Sequence, residues 1–317
     1  MDRLATRAEQ AARNNDSREL FRLARAVHPP TTTTRSFALN AQDGTLLTEE
    51  TEVLERWVDH FQQLLNAAPT PAREQERPFT SDNACRPSPT TPMSDEAPSL
   101  GEVETAIQAL RNNKAAGPDD IPPEMVKFGG TALSQCLLRM LTQVWQSGVV
   151  PTEWQEACIV PLFKKGVRRD PNNYRGITLL CVASKVLAHV IKERLASSLE
   201  PTLHDAQCGF RPGRGTSDMV FAARQLIEKC REHRQPLYWC FVDFHKAYDC
   251  VDRNVMWQTL ADLGVPPRML HVIRQLHEGM LLRVQAGGRQ SARTFQTTAG
   301  VRQGCVLSPL LFNLCVD

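Results

Sequence analysis

Residues 237–253 read LYWCFVDFHKAYDCVDR, and the fold turns on how this stretch is read. Leu237 to Val242 is a short apolar run rich in aromatic and β-branched residues, the pattern of a buried strand. It delivers Asp243 and then passes into polar sequence. A carboxylate at the end of a buried strand is costly unless it is paired or binds a cation. Asp243 is therefore either a cap on a turn or a ligand, and its surroundings must decide. Asp249 and Asp252 read as turn and helix-cap residues rather than ligands.

Two other blocks supply the surroundings. Upstream, residues 159–180 read IVPLFKKGVRRDPNNYRGITLL; downstream, residues 299–317 read AGVRQGCVLSPLLFNLCVD. The three blocks, in this order, resemble the reverse transcriptases of non-LTR (LINE-type) retrotransposons over residues 100–317. A weaker resemblance reaches back to the connector that precedes the polymerase in such elements. The connector and NNYRGITLL favour this family over the group II intron maturases. The resemblance implies an α/β (α+β) fold, with right-hand polymerase fingers and a partial palm after a mainly helical connector. The implied division is a connector over 1–66, a Pro-rich linker over 67–99 and the polymerase domain over 100–317.

Bulk composition is that of an ordinary globular protein, with 42% hydrophobic and 23% charged residues. A net charge of +2 argues for no particular partner, but its distribution is uneven. Residues 160–215 hold ten Lys and Arg against four Asp and Glu, which suits either a partner carrying phosphates or solvated helix faces. The ten cysteines include no C-x-x-C pair and no zinc spacing, and Cys136, Cys181 and Cys240 read as small buried hydrophobes in a reducing compartment. No apolar run approaches a membrane span, and residues 1–15 lack the apolar centre of a secretory signal, so the expectation is intracellular: cytoplasm, nucleus or both.

Along the chain, residues 2–28 read as a charged helix stopped by Pro29 and Pro30. Asp43-Gly44 marks a short hairpin, and residues 50–65 carry a helical apolar stripe through Val53, Leu54, Trp57, Val58, Phe61, Leu64 and Leu65. Residues 67–99 hold seven prolines and few large apolar side chains, a composition that builds no core. Ser99 and Glu102 fit a capping box, and Gly117-Pro118-Asp119 a turn. Asp119-Asp120 belongs to loop structure, with Asp120 where the family has glycine. Further helices are expected over 133–145, 179–199, 216–233, 253–263, 267–278 and from Pro309 to the end. Strands are expected over 157–163, 281–286 and 294–298, the last two paired around Gly287-Gly288.

The resemblance also assigns roles. Lys164, Lys165 and Arg175 would cradle an incoming triphosphate, where the lysines offer compact charge and the arginine a planar fork. Arg211 and Arg214, in a loop opened by Gly209, Gly213 and Gly215, would contact the template strand. Asp243 would be catalytic and hold both Mg²⁺ ions of a two-metal phosphoryl transfer, with the Phe244 carbonyl as a neighbouring ligand. Tyr248 is either the residue beneath the sugar that excludes a 2′-hydroxyl or a plain core aromatic. Gln303 and Gly304 would meet the nucleotide, unless Gln303 is a simple loop amide. The implied partners are an RNA template, a DNA primer and dNTP, with no membrane and no obligate protein partner. The family's third palm motif, two adjacent aspartates, and its thumb have no counterpart here. The expectation is an amino-terminal polymerase fragment that does not catalyse synthesis unaided, with a non-catalytic nucleic-acid-binding remnant as the alternative.

Overall fold

The computed structural model describes residues 38–66, 92–244 and 246–316, with a few isolated positions before residue 24. The helix expected over 2–28 and the linker from 67 to 91 lie outside the described residues, isolated positions apart. Strands β1 (Leu39–Asn40) and β2 (Leu46–Leu47) form the expected antiparallel hairpin, with Asp43 Oδ1 accepting from the Thr45 N–H across its turn. Helix α1 (Glu50–Leu65) buries Val53, Leu54, Trp57, Val58 and Phe61, while Leu64 and Leu65 are only partly covered. Its apolar stripe joins the same core as the rest of the chain, so the helix read as connector is packed onto the polymerase region. Arg293 pairs with Glu55 and Asp59 across that contact.

Residues 92–99 depart from the linker expectation. They lie along the core: the Asp95 carbonyl accepts from Trp145 Nε1 at 3.0 Å, and Asp95 Oδ1 accepts from the Met269 N–H at 3.2 Å. Composition alone misses this, because the segment is held by the Asp95 carbonyl and carboxylate and by two small contacts, Met93 and Ala97, packed against the core. Helix α2 (Leu100–Ala109) opens with the capping box of Ser99 and Glu102. The 117–120 turn closes with the Asp120 N–H donating to the Gly117 carbonyl, and Asp120 takes φ 53°, the left-handed conformation that the family's glycine would adopt freely. Helix α3 (Pro123–Lys127) starts on its proline, and α4 (Gly130–Ser147) ends at Gly148.

A short α5 (Thr152–Gln155) leads into β3 (Glu156–Phe163), which pairs antiparallel with β4 (Tyr174–Leu179). Helix α6 (Val182–Leu199) follows, starting later than Leu179 because that residue still pairs with Cys158 in the hairpin. Then come α7 (Thr216–Glu232), α8 (Arg253–Asp262) and α9 (Pro267–His277). Asp252 caps α8 as read, its Oδ1 accepting from the Asn254 and Val255 N–H groups. Strand β5 (Leu281–Ala286) turns through Gly287-Gly288 into β6 (Arg289–Gln290), a tighter partner than expected, and also pairs with β7 (Phe295–Gln296). Helix α10 (Ser308–Val316) completes the described chain. The sheet order is β4-β3-β5-β6 with β7 beside β5, and β3 and β5 run parallel. A parallel pair needs a long crossover, and here everything from β4 to α9 supplies it.

The strand expected at Leu237–Val242 is absent. Residues 237–244 have no regular structure, with Tyr238 and Phe241 about nine-tenths exposed (89% and 90%). A strand exists only when a sheet edge satisfies its backbone, and among the described residues no edge reaches this segment. Cys136 and Cys240, expected inside, are likewise exposed; Cys181 is buried as read.

Candidate active site

The site is built on the free edge of β4. The Thr178 N–H donates to the Gln303 carbonyl at 2.7 Å, laying the 300–304 loop along the strand. Gly304 sits at φ 130°, and a Cβ there would overlap the Thr178 carbonyl oxygen. Only glycine allows that approach. The other end of the loop is stitched to the 246–251 turn, with the Gly300 N–H donating to the Val251 carbonyl and the Val301 N–H to the Tyr248 carbonyl, both at 2.8 Å. The two seams bring Gln303 against the turn, and its Nε2 donates to Asp249 Oδ1 at 2.7 Å. Asp249 is only 8% exposed. Burial pushes its carboxyl up to about 6, partly opposed by the Gln303 hydrogen bond and the charge of Lys246.

Tyr248 lies beside this pair. Its ring stacks on Phe312 of α10 at 4.7 Å and meets the edge of Phe210 at 5.9 Å. Its hydroxyl is buried without a hydrogen-bond partner, and burial pushes the phenol up to about 12. Phe210 belongs to the Gly/Arg loop, which α10 holds in place. Asn313 Nδ2 donates to the Gly209 carbonyl at 2.7 Å, and Gln207 Nε2 donates to Asn313 Oδ1 at 2.9 Å.

Within that loop the two arginines differ. The Arg211 side chain is largely covered, and its five N–H donors go to Glu200 Oε1 and Oε2 and to the carbonyls of Glu200, His204 and Gln207. A guanidinium has five donors, so none remains for a template phosphate. The reason is local: a 3-10 turn at Glu200–Thr202 folds the end of α6 back beneath the loop. Arg214 is exposed and pairs with Asp205 at 2.7 Å.

The fingertip residues sit as a basic rim. Lys164 and Lys165 are exposed in the loop between β3 and β4, which the Lys164 N–H closes by donating to the Asn173 carbonyl at 2.8 Å. Arg175 is exposed on β4, on the opposite face from Gly176, where Phe61 of α1 packs. None of the three has an ion-pair partner among the described residues. Arg175 and Thr178 lie three positions apart on one strand, roughly 10 Å along it.

Asp243 and Phe244 stand apart from this arrangement, on the exposed irregular segment. Among the described residues no group of three or more Asp, Glu, His or Cys side chains is placed to hold a metal ion. Magnesium takes near-octahedral oxygen coordination, so one exposed carboxylate and a carbonyl do not build the two-metal site that the resemblance implies.

Other polar groups were not foreseen. Asn313 interrupts the apolar run LLFNLCV, and a buried amide in such a run signals a specific hydrogen-bonding task. Arg253 is buried and donates to the carbonyls of Gly300, His277 and Thr297 and to Thr297 Oγ1. Arg302 is buried with its Nε unpartnered, and burial holds His277 neutral, well below its usual range. Nothing local in the sequence distinguishes these cations from surface ones.

Comparison with known proteins agrees with the geometry. Residues 163–317 match the reverse transcriptase (RNA-dependent DNA polymerase) family. The chain is 28% identical over 88% of its length to the transposon TX1 uncharacterized 149 kDa protein of Xenopus laevis, covering 21% of that protein. It is 27% identical over 78% of its length to the retrovirus-related Pol polyprotein from type-2 retrotransposable element R2DM of Drosophila melanogaster, covering 24% of it. It is 27% identical over 68% of its length to the RNA-directed DNA polymerase from mobile element jockey of Drosophila funebris, again covering 24%. The chain thus spans between a fifth and a quarter of these relatives. With the β4 edge, the Tyr248–Asp249 turn and the 300–304 loop in direct contact, residues 163–317 match a reverse transcriptase domain and are similar to those of non-LTR, LINE-type retrotransposons.

Proposed function

We propose that this chain supplies the nucleotide- and template-engaging surface of an RNA-directed DNA polymerase that extends a primer 3′ end. The carrying observation is the convergence of three stretches far apart in sequence: β4, the 246–251 turn and the 300–304 loop, joined by hydrogen bonds of 2.7–2.8 Å. In this reading Lys164, Lys165 and Arg175 bind the triphosphate of a dNTP, Gln303 and Gly304 face its sugar or base, and Tyr248 lies beneath the sugar. Arg214 contacts the RNA template, with Arg211 as the scaffold of its loop. Asp243 would be the catalytic carboxylate and, with the Phe244 carbonyl, would supply only part of the ligand set that Mg²⁺ needs. The connector, linker and polymerase regions divide at residues 66 and 99, with residues 92–99 of the linker lying along the polymerase core. An intracellular setting goes with an RNA template. Among the described residues no helix is long and apolar enough to cross a membrane.

Exposure of Asp243, with no third ligand beside it among the described residues, favours a second reading: nucleic-acid binding without synthesis. One experiment separates the two. Primer extension on an RNA template with Mg²⁺ and dNTPs is measured alongside binding of the same RNA–DNA hybrid at several salt concentrations. Extension abolished by Asp243→Ala supports the polymerase. Binding that weakens with salt, without extension, supports the binding module. Loss of both rejects the functional reading altogether.

A further inference from the structure

The hydrogen bond from Gln303 Nε2 to Asp249 Oδ1 couples two side chains that the sequence separates by the whole α8–β7 region. A glutamine amide has a donor end and an acceptor end of nearly equal size, and nothing in its shape selects which end faces which way. An ionised carboxylate is acceptor-only, so it selects the N–H end. Asp249 thereby leaves the Gln303 oxygen and its second N–H for another partner. The carbonyl of the same residue is already tied to the Thr178 N–H, so the Gln303 backbone is anchored and the remaining freedom is amide rotation.

We propose that Asp249 is a positioning residue for nucleotide binding: its ionised carboxylate sets which end of the Gln303 amide is offered to the incoming nucleotide. The proposal rests on the reading of Gln303 as a nucleotide contact. The surroundings of Asp249 make its charge a variable. A small cavity of about 30 Å³ adjoins it, with Arg253 of α8 and Arg302 of the 300–304 loop also on its walls. Lys246 faces the carboxylate from its own turn. The remaining walls from α1, β4 and β5, including Phe61, Thr178 and Leu282, carry no charge. Burial opposes ionisation, the Gln303 hydrogen bond and the Lys246 charge favour it, and the carboxyl is pushed up to about 6. A protonated Asp249 both donates and accepts, so it no longer discriminates between the ends of the amide.

The test uses the full 317-residue chain, dTTP as probe and the isotope-labelled Gln303 side-chain amide, assigned by its loss in Gln303→Ala. Both readouts are followed between about pH 5 and 8, the range spanning the carboxyl and histidine titrations. Asp249→Asn is close in size and keeps a partner for the amide while losing the charge. It also controls for the titration of dTTP itself.

In the wild-type chain the amide resonance is expected to move in one transition near pH 6, and dTTP to bind about five- to tenfold more tightly above it than below, relative to Asp249→Asn. In Asp249→Asn the amide resonance is flat. Gln303→Ala and the Asp249→Asn/Gln303→Ala double variant are expected to bind dTTP equally weakly. An unchanged pH profile in Asp249→Asn, or a wild-type amide resonance that does not titrate, overturns the proposal. A chain that shows the amide transition but binds no dTTP at any pH overturns the nucleotide reading, and the proposal with it. A chain whose dTTP affinity is indifferent to Asp249 overturns the proposal alone.

Discussion

At the scale of single residues, one side-chain type serves opposite purposes within a few positions. Arg211 is spent inside the protein and Arg214 faces out, so their substitutions should separate stability from binding. Arg211→Ala leaves Glu200, whose side chain is 25% exposed, without its partner and strips donors from three carbonyls. It is expected to cost about 3 kcal/mol, read as a lowered urea midpoint. Arg214→Ala is expected to change stability by less than about 0.5 kcal/mol, because its ion pair is solvated. The same substitution should flatten the salt dependence of RNA binding.

A second contrast concerns pH. The Arg194 guanidinium, with help from Ser99, holds Glu102 down to about 2. A carboxyl lowered on folding contributes stability above its unfolded value, and loses it as pH falls through the folded one. Wild-type stability should therefore decline between about pH 4.5 and 2 more steeply than that of Glu102→Gln, measured as urea midpoint against pH. Asp249 has the opposite sign: raised on folding, it favours the folded state most below about 3.8, and that contribution is lost as pH rises through about 6.

Among elements, the seam between β4 and the 300–304 loop has the least room for change. Gly304→Ala forces a non-glycine residue to φ 130° and drives its methyl group into the Thr178 carbonyl. The expected cost is roughly 1–3 kcal/mol, seen as a lowered thermal midpoint, with dTTP binding lost as Gln303 moves off Asp249. Helix boundaries show what was legible at this scale. The capping box at Ser99 and the Asp252 cap act within a few residues, and both were readable. The Leu237–Val242 strand was misread because its apolar pattern is local while the edge it needs is not.

For the whole molecule, the consequence is exposed apolar surface. Helix α7 buries none of its side chains, leaving Met219, Val220, Phe221 and Leu226 open to solvent. Residues 237–244 add Tyr238, Phe241 and Val242, with the Trp239 and Phe241 rings stacked at 6.1 Å. Contiguous apolar surface with unpaired backbone promotes association. The double substitution Phe241→Glu and Val242→Lys is expected to reduce concentration-dependent self-association in sedimentation while leaving the thermal midpoint unchanged, because neither residue is part of the core.

What the sequence determined by itself was the inventory: the family, the order of most helices and strands, and the chemistry of the basic fingertip, the Gly/Arg loop and the 300–304 motif. These follow from periodicity, caps and spacing, which are properties of neighbouring residues. The tertiary structure decided which groups remain available. It saturated Arg211, left Lys164, Lys165 and Arg175 exposed without ion-pair partners among the described residues, buried Asp249 against Gln303 and left Asp243 on an open segment. Those outcomes depend on which chemically similar groups meet across long sequence distances, and on how much water each contact excludes. A residue's type and immediate neighbours carry neither quantity.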